Sequence, residues 1–218
     1  MKVSYVTPLD LAVVVVIVTA ALTLWRQSLV ASLRALSLQG VGLGVVAMVL
    51  GAHRRDPILV FVGVLVLLIK GAAIPRLISR VVARDHPGRE GSPLINIPAS
   101  LVGAGLLTLL AFGATRGLVA LIATPAARLI PFGVATTLIG FFAMVVRRRA
   151  VSQIVGLLTI DNGIALTAFL ATSGVPLVVE LGVSLDVLLA VAVLRVLAGH
   201  LHRQFNIQDL DQLRDLHD

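Results

Sequence analysis

Residues 57–82 read PILVFVGVLVLLIKGAAIPRLISRVV. Thirteen uncharged residues, Pro57 to Ile69, precede Lys70. At ~1.5 Å of rise per residue a helix begun at Pro57 carries the amine about 20 Å in. A hydrocarbon layer is ~30 Å thick and needs roughly 20 apolar residues to cross it. The stretch therefore reads as a spanning helix with a lysine deep inside it.

The same pattern recurs on both sides. Apolar runs bounded by charge or proline place spans near residues 8–25, 29–52, 57–82, 97–115, 130–147, 150–172 and 175–200. Composition agrees, since 58% of the 218 residues are hydrophobic and 13% charged, against about 45–50% and about 25% in soluble domains. Mean hydropathy is +1.02. The expectation is an all-α, polytopic transmembrane bundle of about seven helices. Residues 117–128 are apolar too, but Pro125 and their short length fit a re-entrant or interfacial loop, so six and eight spans are the competing counts. The run from Leu9 to Trp25 has the look of a signal peptide, but it is long and has no clear small-residue cleavage site, and it is read as the first helix.

Lysine and arginine placement orients the bundle, because cytoplasmic loops hold the excess. With the amino terminus outside, ten face the cytoplasm (Arg26, Arg76, Arg80, Arg84, Arg89, Arg147, Arg148, Arg149, Arg203 and Arg214) and five face out (Lys2, Arg54, Arg55, Arg116 and Arg128). The carboxyl terminus is then cytoplasmic. Residues 1–84 hold the first three helices and 85–96 a cytoplasmic loop whose prolines and glycines disfavour regular structure. Residues 97–129 hold the fourth helix and a connecting loop, 130–205 a three-helix unit, and 206–218 a cytoplasmic amphipathic tail. In the tail Ile207, Leu210, Leu213 and Leu216 recur every three residues; it is either a surface segment or one docked on a neighbouring cytoplasmic protein of the same assembly.

Several function classes fall away. The net charge of +7 comes from arginines at the ends of apolar runs, not interleaved with exposed aromatics, so no nucleic acid is expected. Without cysteine the chain forms no disulfide and no Cys-ligated cluster. His53 and His86 are read in loops and His200 and His202 at the cytoplasmic end, which does not suit a transmembrane haem. Gly40, Gly44, Gly103 and Gly105 read as close-approach points between helices, since no strand precedes them as a nucleotide site requires.

What remains is charge at bilayer depth, which costs at least ~2.5 kcal/mol per group on insertion scales. Lys70, Asp161 and Asp186 fall near the midplane and Glu180 nearer the outer end, while Arg34 and Arg195 lie close enough to the cytoplasmic side to snorkel. Lys70, Asp161, Glu180 and Asp186 are the candidate proton or ion pathway, with Thr159, Asn162 and Arg195 as supporting polar groups. The alternative is a set of buried ion pairs that fix helix register. Ser152, Thr159 and Asn162 fall near one helical face and could hold water or sodium, or bond between helices. Pro75 should free a backbone carbonyl near Lys70 and kink its helix.

The run Arg147-Arg148-Arg149-Ala150-Val151-Ser152-Gln153-Ile154-Val155-Gly156, then Asp161-Asn162-Gly163, then Leu177-Val178-Val179-Glu180-Leu181-Gly182 with Asp186, resembles hydrogenase-4 component E. That family is a membrane subunit of group 4 hydrogenases and formate hydrogenlyases. Lys70 with its following proline and the tail Asp209-Leu210-Asp211-Gln212-Leu213 are similar to it as well. Residues 130–205 further resemble the small K-like subunit of respiratory complex I and its counterpart in multisubunit cation/proton antiporters. Those have an Arg-ended first helix, a buried acid in each of the next two, and an Asn-containing tail. Leu158 stands where the K-like protein has its glutamate, and Asp161 follows one turn later. Component E usually has glutamate before the Asn-Gly pair, where this chain has the shorter Asp161.

The resemblance implies a non-redox subunit of a complex I-like assembly in a bacterial or archaeal cytoplasmic (inner) membrane, coupling redox chemistry to proton or sodium translocation. Implied partners are antiporter-like membrane subunits, the membrane anchor of a quinone or hydrogenase module, and peripheral redox subunits. The nickel–iron centre and iron–sulfur clusters would belong to those partners, with no cofactor in this chain. The rival readings are a subunit of a cation/proton antiporter and a purely structural membrane spacer. A reporter fused after Asp218 should read cytoplasmic and one inserted at residues 53–56 external; the reverse result would overturn the orientation.

Overall fold

The computed structural model describes residues 5–25, 28–82, 96–122, 124–147 and 150–172. Among them every regular element is helical: α1 (Val6–Trp25), α2 (Leu29–Arg54), α3 (Pro57–Leu68), a π-helical segment (Ile69–Ala73), α4 (Ile74–Val82), α5 (Ile97–Leu121), a 3-10 turn (Pro125–Leu129), α6 (Ile130–Val146) and α7 (Ala150–Thr172). The α3–π–α4 series runs on as one span, so six helices among the described residues are long and apolar enough to cross a membrane. The chain is a multi-pass membrane protein. The seventh expected span at 175–200, the loop at 85–95 and the tail at 206–218 lie outside the described residues.

Local chemistry sets the helix ends. At the end of α2, Arg55 takes a left-handed conformation with φ 58°, and its N–H donates to the Ala52 carbonyl while that of Asp56 donates to Gly51. This closes the last carbonyls of α2 in a Schellman arrangement, with arginine where glycine is usual. Asp56 then caps α3, its Oδ1 accepting from Ile58 N at 3.0 Å and Leu59 N at 3.2 Å, with Pro57 in the first turn. One helix stops and the next starts within two residues. His53, expected in a loop, is in the last turn of α2 and stacks on Tyr5, ring centroids 3.7 Å apart.

The fourth span runs further than its sequence suggests. Helix α5 continues through Gly117 to Leu121, and only then does the chain turn at Ile122 and enter the Pro125 3-10 turn. Residues 117–128 are thus a helix end followed by a short turn, not a re-entrant loop. Glycine weakens a helix in water, but where water is absent the helix is the cheapest way to satisfy the backbone.

Apolar burial does not drive spanning helices together in lipid, so close van der Waals packing must. Helices α6 and α7 pack closely. A Cβ on Gly140 would sit 2.6 Å from Ile160 N, and Gly133, Gly156 and Gly163 are similarly closed by Thr167, Met144 and Thr137. Gly133 and Gly140, like Gly156 and Gly163, are seven residues apart, which repeats the small position on one face of each antiparallel helix. Ala104 of α5 joins Ala20 and Leu24 of α1 and Ile139 and Ala143 of α6 in an apolar cluster. The outer face of α5 carries Val102, Leu106 and Leu109, the last 70% exposed; a soluble domain would have to cover such a stripe, and lipid solvates it.

Polar contacts close both ends of the bundle. At one end Arg128 forks onto Asp10 with contacts of 2.8 and 2.6 Å. At the other, Arg147 reaches the last turn of α1. We expect Gly140→Val to destabilise the bundle by ~1–3 kcal/mol, the usual cost of overpacking. Gly113→Ala, whose Cβ meets nothing within 4 Å among the described residues, should hold or raise stability; reversible unfolding in mixed micelles measures both.

Candidate functional site

Two of the intramembrane charges meet. Lys70 Nζ lies 2.5 Å from Asp161 Oδ2, and the two side chains are 5% and 9% exposed. The amine comes from the π-helical segment and the carboxylate from the middle of α7, so one hydrogen-bonded ion pair joins two spans far apart in sequence.

The backbone around Lys70 explains why it projects there. Pro75 has no N–H and its ring crowds the carbonyl four residues earlier, that of Gly71. The widened π turn over Ile69–Ala73 accommodates the ring, and the Ser37 hydroxyl of α2 donates to the Gly71 carbonyl. The helical backbone continues through a local π turn whose freed carbonyl is closed from a neighbour. Such turns change the phase of the side chains that follow and recur at functional sites. Gly40 lets α2 come in: a Cβ there would stand 2.6 Å from Lys70 O, with Lys70 C and Gly71 N also in contact. Any larger residue at 40 would push the π segment away.

A second polar rung lies beside the first. Asn162 Nδ2 donates to Gln39 Oε1 at 3.1 Å, with Asn162 2% exposed and Gln39 fully buried. Asn162 follows Asp161, and Gln39 precedes the glycine that packs on Lys70. Gln39 Nε2 has no hydrogen-bond partner among the described residues, and leaving a buried amide donor unpaired costs ~1–3 kcal/mol.

The expected polar face of α7 divides. Asn162 joins the central rung. Thr159 is buried, and its hydroxyl donates to Val155 O at 2.9 Å in its own helix. Ser152 belongs to the end of the bundle, in a pocket with Thr23, Ser32 and Arg147. Arg147, read from sequence as a topology signal, is only 8% exposed, and its Nη2 donates to the Thr23 carbonyl at 2.6 Å and the Leu24 carbonyl at 3.5 Å. It supplies a cation and donors to the carboxyl end of α1, where carbonyls lack helical partners. Arg34 is exposed. Glu180, Asp186 and Arg195 lie outside the described residues.

Gln39 carries no formal charge and so stands outside the set of intramembrane charges. The signal was present, since an amide in the middle of the apolar run of α2 must also find partners. Asp10 is likewise absent from that set; its exposed pairing with Arg128 links two elements over a hundred residues apart, which no local pattern announces.

Chemically, the centre presents one ammonium, one carboxylate and two primary amides. No group of three or more His, Cys, Asp or Glu able to hold a metal occurs among the described residues. A donor and an acceptor at hydrogen-bond distance can pass a proton between the states Lys–NH3+/Asp–COO− and Lys–NH2/Asp–COOH without moving a heavy atom.

The chain is 43% identical over 210 residues to the "Uncharacterized protein Rv0085" of Mycobacterium tuberculosis (strain ATCC 25618 / H37Rv), a match that covers 96% of each chain. No family model matches the sequence, and no solved structure matches it.

Removing one member of a buried pair is typically far worse than removing both. We expect Asp161→Leu to destabilise the chain by ~3–5 kcal/mol. Adding Lys70→Met should recover part of the loss, a coupling that a double-mutant cycle of micellar unfolding reads directly. Strict additivity would mean that the pair makes no coupled contribution to stability.

Proposed function

The chain belongs to the family of the Mycobacterium tuberculosis protein Rv0085, and from that premise we propose that it is a non-redox membrane subunit of a group 4 hydrogenase or complex I-like assembly that passes protons through buried charges. The observation that carries this reading is the Lys70–Asp161 ion pair, buried between two spans of a multi-pass bundle. In this reading the bundle has seven spans, an external amino terminus and a cytoplasmic carboxyl terminus, in a bacterial or archaeal cytoplasmic membrane. Glu180 and Asp186 continue the path. Nickel–iron and iron–sulfur centres reside in partner subunits, and antiporter-like subunits flank the chain.

The physics favours transfer over mere attachment. Replacing a buried ion pair with well-packed apolar side chains is often neutral or stabilising, so a pair whose sole task is adhesion has no advantage over leucine and methionine. A pair that shares a proton has one. When a charge change in a neighbouring subunit alters the field at the pair, the proton moves from Lys70 to Asp161 and Lys70 becomes neutral. Asp161 then hands the proton on, and the pair resets when Lys70 is protonated again.

The structural-spacer reading draws on a different observation. The Ser37–Gly71 bond, the Gly40 approach and the Asn162–Gln39 bond all fix the register of α2 against its neighbours around the same pair. The two readings separate in variants that keep a hydrogen bond but lose the charge.

We expect Asp161→Asn and Lys70→Gln to assemble with their partners while the rate of redox-linked proton translocation in sealed vesicles falls roughly 100-fold, the scale of losing a positioned proton-transfer group. Wild-type translocation rates in both assembled variants would overturn the reading. Loss of assembly with full pumping in whatever complex remains would establish the spacer.

A further inference from the structure

Two buried side-chain atoms among the described residues make no hydrogen bond, Gln39 Nε2 and Thr124 Oγ1. Thr124 borders a pocket at one end of the bundle with Tyr5, His53 and Arg54, where a rotating hydroxyl can find solvent. Gln39 has no such outlet, because it is completely buried in the middle of α2 and its carbonyl oxygen already accepts from Asn162. Its Nε2 is left without a partner in the middle of the bundle.

Asp161 offers the complementary group. Lys70 occupies Oδ2, and Oδ1 accepts no hydrogen bond among the described residues, while the side chain retains 9% exposure. Sequence adjacency ties the two groups into one network: Asp161 adjoins Asn162, to which Gln39 is bonded, and Gln39 adjoins Gly40, which packs against the Lys70 peptide. A buried donor without an acceptor beside a carboxylate oxygen without a donor is the arrangement that buried water characteristically bridges.

We propose that Gln39 Nε2 and Asp161 Oδ1 hold one buried water molecule, and that Gln39 is thereby a positioning residue for the proton that leaves the Lys70–Asp161 pair. The water oxygen accepts from Gln39, and one O–H donates to Asp161. Its second hydrogen points along the route by which a proton can continue. Reversing both amides exchanges donor for acceptor at Gln39 and preserves the site, because water serves either way. A metal cation fits less well, since the ammonium already occupies the carboxylate and an N–H faces the position. The role in transfer rests on the proposed function; the existence of the water site does not.

Infrared difference spectroscopy on the full complex in native membranes tests the two parts separately. Wild type should show an O–H stretching band that shifts in H2(18)O and responds to 13C labelling of aspartate. Gln39→Leu and Gln39→Met should abolish that band, and Gln39→Glu should retain it. The rate of redox-linked translocation should fall about tenfold in the Leu and Met variants, the effect on a rate of losing one ordinary hydrogen bond. No such band in wild type, or a band that survives in both apolar variants, overturns the water site. A lost band with unchanged translocation overturns the positioning role and leaves the site standing. If Asp161→Asn also pumps normally, the proton-transfer reading fails, while the band still decides the site.

Discussion

A backbone carbonyl freed inside hydrocarbon has no water to turn to, so a donor must come from elsewhere in the protein. Pro75 creates that demand four residues upstream, at Gly71, and the structure answers it with a widened turn and the Ser37 hydroxyl. Much else follows from this answer. The π turn sets the phase at which Lys70 leaves its helix, and the bond to Ser37 ties that turn to α2. With Gly40 opposite, α2 lies against the Lys70 peptide. The ion pair with Asp161 is built on top of a solved backbone problem, and a helix without Pro75 would present Lys70 at a different angle.

The same rule governs the rest of the polar inventory. Buried threonines such as Thr19, Thr115 and Thr159 return their hydroxyls to carbonyls three or four residues back in their own helices. They are thereby satisfied and chemically quiet. Arg147 provides for the open end of α1. Gln39 and Asp161 stand apart because they keep bonding capacity in the middle of the bundle, where it is costly to keep. That difference separates polar residues that solve a folding problem from those with capacity left for chemistry.

Packing and chemistry are divided among the helices. Helices α6 and α7 pack closely through small residues at a repeat of seven. That pair holds Asp161 and Asn162 in place, while α2 carries Ser37, Gln39 and Gly40 to both Lys70 and α7. Helix α5 packs on α6 through Gly103 against Phe142 and Phe112 against Phe132, joins the apolar cluster through Ala104, and turns a broad apolar face outward. The ion pair thus lies between a closely packed helix pair and a span that contains a π turn.

Taken alone, the sequence determined that the chain is helical and crosses a membrane several times, because apolar run length and the exclusion of charge act residue by residue along the chain. It also marked Lys70 and Asp161 as the exceptions, and it set the α2–α3 turn through Asp56 and Pro57. Tertiary structure alone decided that these two charges meet, that Gln39 bonds beside them, that Arg147 serves the end of α1, and that the fourth span persists to Leu121. Each of these depends on the rotational phase of one helix against another and on approaches set by single missing Cβ atoms. Neither quantity is carried by any local window of sequence, since both arise when separate spans choose each other as neighbours.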